Sequence, residues 1–200
     1  MSSSVLYMSM SLEGFIAGPN ERPDNGLGDS GERLHEWAFP GAEGGDFEAA
    51  VARLKGLNRQ VYDEMMSTGA VIAGRGTFEP AGGWGGDHHD GVPIYILSRH
   101  PAPDWAAAWS NVHYVSDLGA AMQDATAAAG DRNVLVHGAG IVQRALPAGL
   151  IDEFEIHLVP VLFGAGRRLF DNLGFGLREL ERVRVLQGEG VTHLRYRVRR

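Results

Sequence analysis

The first apolar run of the chain predicts a buried strand followed by a long loop. Residues 5 to 12 are apolar or small and carry no charge, as expected of a strand covered on both faces. From residue 21 to 45 glycine and charged residues dominate, and only "LHEWAF" (34 to 39) offers apolar anchors. We therefore expect a long loop with one helical turn, and long ordered loops are often functional.

A helix is predicted after this loop, because apolar residues recur there at helical spacing. Asp46 can cap the first turn, and Ser67 and Gly69 mark the end. The apolar stripe should pack on the sheet and consists of Phe47, Val51, Leu54, Val61 and Met65.

Beyond this helix, short apolar runs alternate with helical segments, which is the βαβ rhythm of a mainly parallel sheet. Strands are predicted at residues 70 to 74, 92 to 98, 111 to 115 and 133 to 137, and helices at 118 to 129 and 141 to 146. Residues 153 to 163 form a long extended run, in which Pro160 indicates an edge or a bulge. Period-two alternation around Gly188-Glu189-Gly190 predicts a terminal antiparallel hairpin.

Size and charge narrow the possible functions. The 200 residues, 44% of them apolar, can bury one core, so a single domain over residues 1 to 200 is expected. The net charge of −7 disfavours nucleic acid or an anionic membrane as a partner. Because Lys55 is the one lysine in the sequence, an anionic ligand would be recognised by arginine.

Cysteine usage and the N-terminal sequence indicate the expected cell compartment. The chain has no cysteine, which excludes a disulfide framework, a thiol nucleophile and a zinc-thiolate site. Neither a secretory signal nor an apolar stretch of membrane-spanning length is recognisable. We expect a cytoplasmic protein that acts on a small molecule.

The segment "VIAGRGTFEP" (71 to 80) is the first candidate for ligand binding. Gly74 and Gly76 let the backbone approach a ligand, Arg75 supplies positive charge, and Thr77 can donate a hydroxyl to a phosphate. The segment predicts an oxyanion cradle. A glycine-rich turn with a solvated arginine is the equally open alternative.

Two further strand ends resemble this one in chemistry. The next predicted strand ends in Ser98, followed by Arg99, and the ends of parallel strands share one edge, where ligands of open α/β sheets bind. Two guanidinium groups and two hydroxyls suit a phosphate monoester better than a ribose diol. After residues 133 to 137, Gly138-Ala139-Gly140 would let a pyrophosphate contact backbone amides, although the GxGxxG spacing of a Rossmann fold is missing.

Five segments in this order resemble the dihydrofolate-reductase-like family, and most closely the reductase domain of bacterial riboflavin-biosynthesis deaminase-reductases. They are "SMSLEGFIAGPN" (9 to 20), "GAVIAGRGTFE" (69 to 79), "YILSR" (95 to 99), "NVLVHGAGIVQRAL" (133 to 146) and "HLVPVLFGAGRRLF" (157 to 170). The resemblance implies an α/β fold of three layers, whose mixed sheet has a parallel centre and a C-terminal antiparallel hairpin. It also implies reduction with NADPH.

The resemblance assigns roles to residues of this chain. Arg75, Thr77, Ser98 and Arg99 would hold the adenosine side and its 2′-phosphate. The other cofactor contacts would come from the first strand and its loop and from the ends of two later strands, namely Ser9, Ile16, Ala17, Gly74, Val136, His137, Gly138, Ala139, Gly140 and Ile141. In the same family, the arginines of "GAGRRLF" (164 to 170) are expected to be structural.

Three residues depart from the family's pattern. His137 stands where dihydrofolate reductases carry the first of two glycines, and Phe15 where riboflavin reductases have a lysine. The carboxylate that protonates dihydrofolate would fall near Asn58, and no acid occupies that turn. Dihydrofolate reduction is therefore not expected, and the catalytic residues are not identified.

Several candidates keep two interpretations. His35, Trp37 and Phe39 could line a substrate pocket over the nicotinamide or could only fasten the loop to the core. His137 could donate a proton near the hydride acceptor or could be satisfied by local backbone. His88 and His89 are interpreted as part of a solvated loop, so no metal site is predicted.

Two functions follow, from different classes. The first is an NADPH-dependent reductase that transfers hydride to a C=N or C=O of a small heterocyclic or aldose-like substrate. The second is a module that binds NADPH or another nucleotide without turnover. A homodimer is compatible with both, because the long strand and the terminal hairpin offer edges for pairing.

Overall fold

The computed structural model describes residues 2–42 and 45–199. Glu43 and Gly44, which belong to the predicted long loop, lie outside the described residues, as do Met1 and Arg200. The strands are β1 (Ser4–Ser11), β2 (Phe15–Ala17), β3 (Ala70–Gly74), β4 (Ile94–Leu97), β5 (Val112–Val115), β6 (Val134–His137), β7 (Glu153–Val159), β8 (Arg167–Arg168), β9 (Leu180–Gly188) and β10 (Val191–Val198). The helices are α1 (Phe47–Arg53), α2 (Gly56–Met66), α3 (Arg75–Phe78), α4 (Leu118–Ala129) and α5 (Ala139–Ala145), with 3-10 turns over Gly31–Leu34 and Gly82–Gly86.

Eight strands form one sheet in the order β5-β4-β3-β6-β1-β7-β10-β9. The first six are parallel, and β10 runs antiparallel to both of its neighbours. Strands β2 and β8 pair separately as a short antiparallel ribbon. The predicted mixed sheet with a parallel centre and a C-terminal hairpin is confirmed. β7 ends at Val159 and not at residue 163, since Pro160 has no N–H to donate to a ladder.

The central strand β1 is buried on both faces, which explains its uncharged sequence. Leu6 and Met8 face a core that includes apolar residues of α4 and α5. Val5 and Tyr7 face the opposite core, which Phe78 of α3 joins. A third cluster brings together Leu34 and Trp37 of the long loop with Val61 of α2. The sheet is thus the middle layer of three, and among the described helices none has the length and apolar content to cross a membrane.

The single helix predicted after Asp46 is wrong, because the chain forms two helices there. Asp46 does cap α1, accepting a hydrogen bond from the amide of Ala49. Residues 54 and 55 are then extended, and Gly56 has a φ of 57°, a left-handed conformation that favours glycine. The break rotates the apolar stripe, so that Phe47 is 56% exposed while Val61 is fully buried.

Candidate functional site

The parallel strands end at one edge of the sheet and bring the predicted ligand-binding residues to it. Ala73 of β3 pairs with His137 of β6, and Gly74 pairs with Leu97 of β4. Arg75 and Ser98 therefore follow directly from neighbouring strand ends. Each of these strands ends where small or polar residues replace the apolar run.

Gly138 lies between β6 and α5 and packs against Thr77 of α3. Its φ is 94°, and a Cβ atom there would collide with Oγ1 of Thr77. Its amide donates to Sδ of Met8 at 3.3 Å. The Thr77 hydroxyl thus packs directly against the Gly138 backbone, which holds a hydroxyl donor at the edge of the sheet.

The remaining side chains of this segment belong to the core. Val136, Ala139 and Ile141 are buried, whereas Gly140 is exposed. These three apolar residues could therefore offer a ligand only their backbone. The segment therefore combines apolar residues that pack in the core with glycines that leave the backbone accessible.

Arg75 and Arg99 differ in their surroundings. Arg75 forms a two-point ion pair with Glu79, with N–O distances of 2.7 and 2.9 Å. The Tyr114 hydroxyl donates to the same carboxylate at 3.2 Å, and burial, with help from Glu79, raises the pKa of Tyr114 to about 12. Arg99 is exposed and, within the described part of the chain, has no ion pair.

A hollow of about 720 Å³ lies beside Arg75. Its lining includes Trp105 and Trp109 but neither Arg99 nor Gly138. The Ser98 hydroxyl is engaged locally, since it donates to the carbonyl of His100 at 2.7 Å and accepts from that residue's amide. The convergence of both arginines on one phosphate stays a prediction.

The ribbon of β2 and β8 borders the same edge. Ile16 and Ala17 are 7% and 3% exposed, so they too offer mainly backbone. Arg167 of β8 forms an ion pair with Glu21 at 2.6 Å, and a Cβ built on Gly76 would lie 3.2 Å from its guanidinium. The sequence signal for this third cation was "GAGRRLF", whose arginines we interpreted as structural.

Ser9 and Trp37 meet on the other side of the edge. The indole N–H of Trp37 donates to Oγ of Ser9 at 2.9 Å. The ring of Trp37 lies 4.4 Å from His157 and 4.8 Å from His193. Phe39 does not join this group, because it packs on Phe47 and Tyr62.

His137 is half-buried, and its Nδ1 has no hydrogen-bond partner among the residues that the structure describes. Burial, together with the nearby His35, lowers the pKa of His137 to about 4. The pKa of His35 is likewise lowered to about 4 by burial. Both imidazoles are therefore neutral near neutral pH, and neither is a protonated acid.

The prediction that His88 and His89 belong to a solvated loop is wrong. His88 packs 4.7 Å from Trp84 and 6.4 Å from His137, and burial lowers its pKa to about 3. Nε2 of His89 lies 3.0 Å from the Thr68 carbonyl. The glycines around Trp84 adopt left-handed conformations that fold the loop back onto the sheet. Among residues 2–42 and 45–199 there is no group of side chains arranged to hold a metal ion.

Sequence reasoning missed two buried polar residues beside Trp37, namely His157 and His193, which join the buried Asn58. His157 of β7 and His193 of β10 are directly paired across the two strands. Both histidines interrupt apolar alternation, in "EIHL" and "VTHL", and this was the available signal. Their meeting depends on strand order, which the alternation alone does not fix.

Comparison with known proteins places the chain in a family. The family model described as the RibD C-terminal domain matches residues 4–194, so the chain belongs to that family. The predicted resemblance to the reductase domain of riboflavin-biosynthesis deaminase-reductases is thereby confirmed. No curated protein matches the chain in sequence.

Two solved structures are similar over nearly the whole chain. A protein from Shewanella sp. PV-4 assigned to riboflavin biosynthesis has a TM-score of 0.72 at 20% identity, with 99% of each chain covered. A diaminohydroxyphosphoribosylaminopyrimidine deaminase/5-amino-6-(5-phosphoribosylamino)uracil reductase from Thermotoga maritima has a TM-score of 0.64 at 13% identity. The match covers 99% of this chain and 57% of that protein. These likenesses confirm the predicted α/β fold with its mixed sheet.

Proposed function

We propose that the protein is an NADPH-dependent reductase that acts on a small heterocyclic or aldose-like substrate. The observation that carries the proposal is the edge where β3 and β6 end, at which the Thr77 hydroxyl packs against the side-chain-free backbone of Gly138. Membership of the RibD C-terminal domain family supports the same activity. The substrate is proposed to resemble the phosphoribosylaminopyrimidine named for the Thermotoga structure.

The residues at the sheet edge fit the phosphates of NADPH. Arg75 and Arg99 would bind the 2′-phosphate, with the hydroxyls of Thr77 and Ser98 as further donors. Glu79 holds the Arg75 guanidinium by two hydrogen bonds and so fixes its orientation. Arg99, exposed and without an ion pair among the described residues, is the arginine that a phosphate would engage without displacing a partner.

The nicotinamide would lie between the first strand and the end of β6. Its contacts would be Ser9, Ile16, Ala17 and His137. When bound, NADPH would supply the hydride. Because His137 is neutral near neutral pH, we propose that the accompanying proton comes from water and that His137 orients the reactants by hydrogen bonding.

A binding module without turnover is the second candidate. Asn58 supports it, since a buried amide stands near the position where the family's dihydrofolate reductases hold a carboxylate. Nothing in the amide can deliver a proton to a substrate. Both candidate functions include binding of the cofactor, and only the reductase includes hydride transfer to a substrate.

Cofactor oxidation distinguishes the two candidates. We expect NADPH absorbance to fall when 5-amino-6-(5-phosphoribosylamino)uracil, or its ring-opened aldose form, is added to the protein. Thr77→Val, which removes one hydroxyl, should raise the KM for NADPH about tenfold, the loss expected for one hydrogen bond to a charged group. NADPH binding with no oxidation across a broad panel of imines and carbonyls would favour the module.

A further inference from the structure

A third arginine, Arg167, lies against the segment that carries Arg75 and Thr77. A Cβ atom built on Gly76, the residue between them, would lie 3.2 Å from Nη1 of Arg167, so a side chain at position 76 would crowd the guanidinium. Gly76 also lines the hollow of about 720 Å³ beside Arg75, so there is open space next to this point of approach. Arg167 therefore reaches the edge of the sheet where the proposed phosphate contacts lie.

Pairing with β2 fixes the backbone from which this side chain extends. Arg167 is paired with Ala17 across the ribbon. Gly166 lies so close to Ala17 that a Cβ atom there would collide with the Ala17 carbonyl oxygen. The amide of Leu169 donates to the carbonyl of Gly14 at 2.9 Å. These contacts on both sides of Arg167 leave its backbone little freedom.

The ion pair with Glu21 engages one side of the Arg167 guanidinium and leaves the other side available. Nε of Arg167 lies 2.6 Å from Oε2 of Glu21. Nη1 and Nη2 donate no hydrogen bond to any residue that the structure describes. The Arg167 side chain is 43% exposed, so a ligand can reach these two atoms. Their N–H groups are suited to bind an oxyanion in two-point fashion.

Arg168, the neighbouring residue of β8, has different contacts. Its guanidinium lies 4.7 Å from the centre of the Phe15 ring, and its Nη1 donates to the carbonyl of Glu13 at 3.0 Å. Successive side chains of a strand point to opposite sides, which explains why two adjacent arginines differ in this way. Arg168 fastens the ribbon and offers a matched control for Arg167.

We propose that Arg167 binds the diphosphate of the cofactor. The inference rests on the proposed function, in which Ala17 contacts the nicotinamide and Arg75 the 2′-phosphate. The diphosphate of NADPH connects these two ends of the molecule. Arg167 is paired with Ala17 and reaches Gly76, the residue next to Arg75, so its guanidinium lies between the two ends. Since NADH has the same diphosphate and no 2′-phosphate, Arg167 contributes to binding of both cofactors and not to the choice between them.

Arg167→Met tests this contact, because methionine keeps an unbranched stem and removes the charge and the donors. In isothermal titration, we expect the affinities for NADPH and NADH each to fall about tenfold, as for the loss of a hydrogen bond to a charged group. Adenosine 2′-monophosphate, which has the 2′-phosphate but no diphosphate, should bind within about twofold of the wild type. Its retained binding also shows that the variant is folded. Arg168→Met should leave all three affinities within about threefold.

Glu21→Ala separates a direct contact with phosphate from an effect of the ion pair on the loop. This substitution breaks the ion pair but keeps the Arg167 guanidinium, so both cofactor affinities should stay within about threefold of the wild type. A loss as large as that of Arg167→Met would attribute the effect to the ion pair and would overturn the inference.

The outcomes separate this inference from the proposed function. Unchanged affinity of Arg167→Met for both cofactors, or a loss confined to NADPH, would overturn the inference alone if the wild type binds and oxidises NADPH. A wild type that shows the expected dependence on Arg167 but oxidises NADPH with no substrate of the panel would contradict the reductase alone. A wild type that binds neither cofactor would overturn both.

Discussion

At the scale of single residues, the site depends on two glycines that make room for polar groups. Gly138 has a left-handed φ, and a side chain there would collide with Thr77. Gly188 of β9 leaves space for Asn58, because a Cβ there would overlap Oδ1 and lie 2.9 Å from Nε2 of His193. Both positions therefore require glycine because neighbouring side chains lie too close to leave room for a Cβ atom.

Gly138→Ala should destabilise the protein strongly. The strained φ and the collision with Thr77 each cost about 1 to 3 kcal/mol, so we expect a loss of about 2 to 6 kcal/mol in the free energy of unfolding. Urea denaturation measures it. Gly140→Ala is the matched control in the same helix, since its Cβ would meet nothing within 4 Å, and it should be neutral or stabilising. Equal effects of the two substitutions would contradict this account of Gly138.

At the scale of elements, buried charges fasten α2 to the sheet. Arg184 of β9 contacts Glu64 of α2 at 2.5 Å and Glu155 of β7 at 3.1 Å. Glu155 is fully buried, and burial raises the pKa of its carboxyl group. Its charge is balanced by Arg184 and by Arg195, 3.5 Å away.

Arg184→Met should therefore leave a buried carboxylate with one cation. We expect a loss of about 3 kcal/mol in the free energy of unfolding, because breaking a buried ion pair strands the remaining charge. Arg59→Met, which removes the exposed pair with Asp63, should cost less than about 1 kcal/mol. Adding Glu155→Gln to Arg184→Met should restore part of the loss, and a further loss would argue against the buried charge as the cause.

The elements themselves show how far the sequence predicts the structure. Period-two alternation identified β10, and the uncharged run at residues 5 to 12 identified β1, because these patterns depend on burial alone. The break before Gly56 was missed, since the helical spacing of apolar residues continues across it. Trp84 and His88 fold onto His137 through left-handed glycines, and no local pattern of residues determines where such a loop packs.

At the scale of the whole molecule, two different sets of residues lie on opposite sides of the sheet edge. Arginines and open backbone occupy one side, and neutral imidazoles with Trp37 occupy the other. The cytoplasmic location and the homodimer stay predictions. The edge strand β9 carries exposed Leu180, Val183 and Val185, and these residues would lie in such an interface.

The ratio of NADPH to NADH affinity tests the central claim most directly. Isothermal titration of the wild type should give tighter binding of NADPH by about tenfold or more, since the 2′-phosphate adds charged hydrogen bonds to Arg75 and Arg99. The variant with both Arg75→Ala and Arg99→Ala should lose that preference while its NADH affinity changes little. Equal affinity of the wild type for the two cofactors would contradict the assignment of these arginines to the 2′-phosphate.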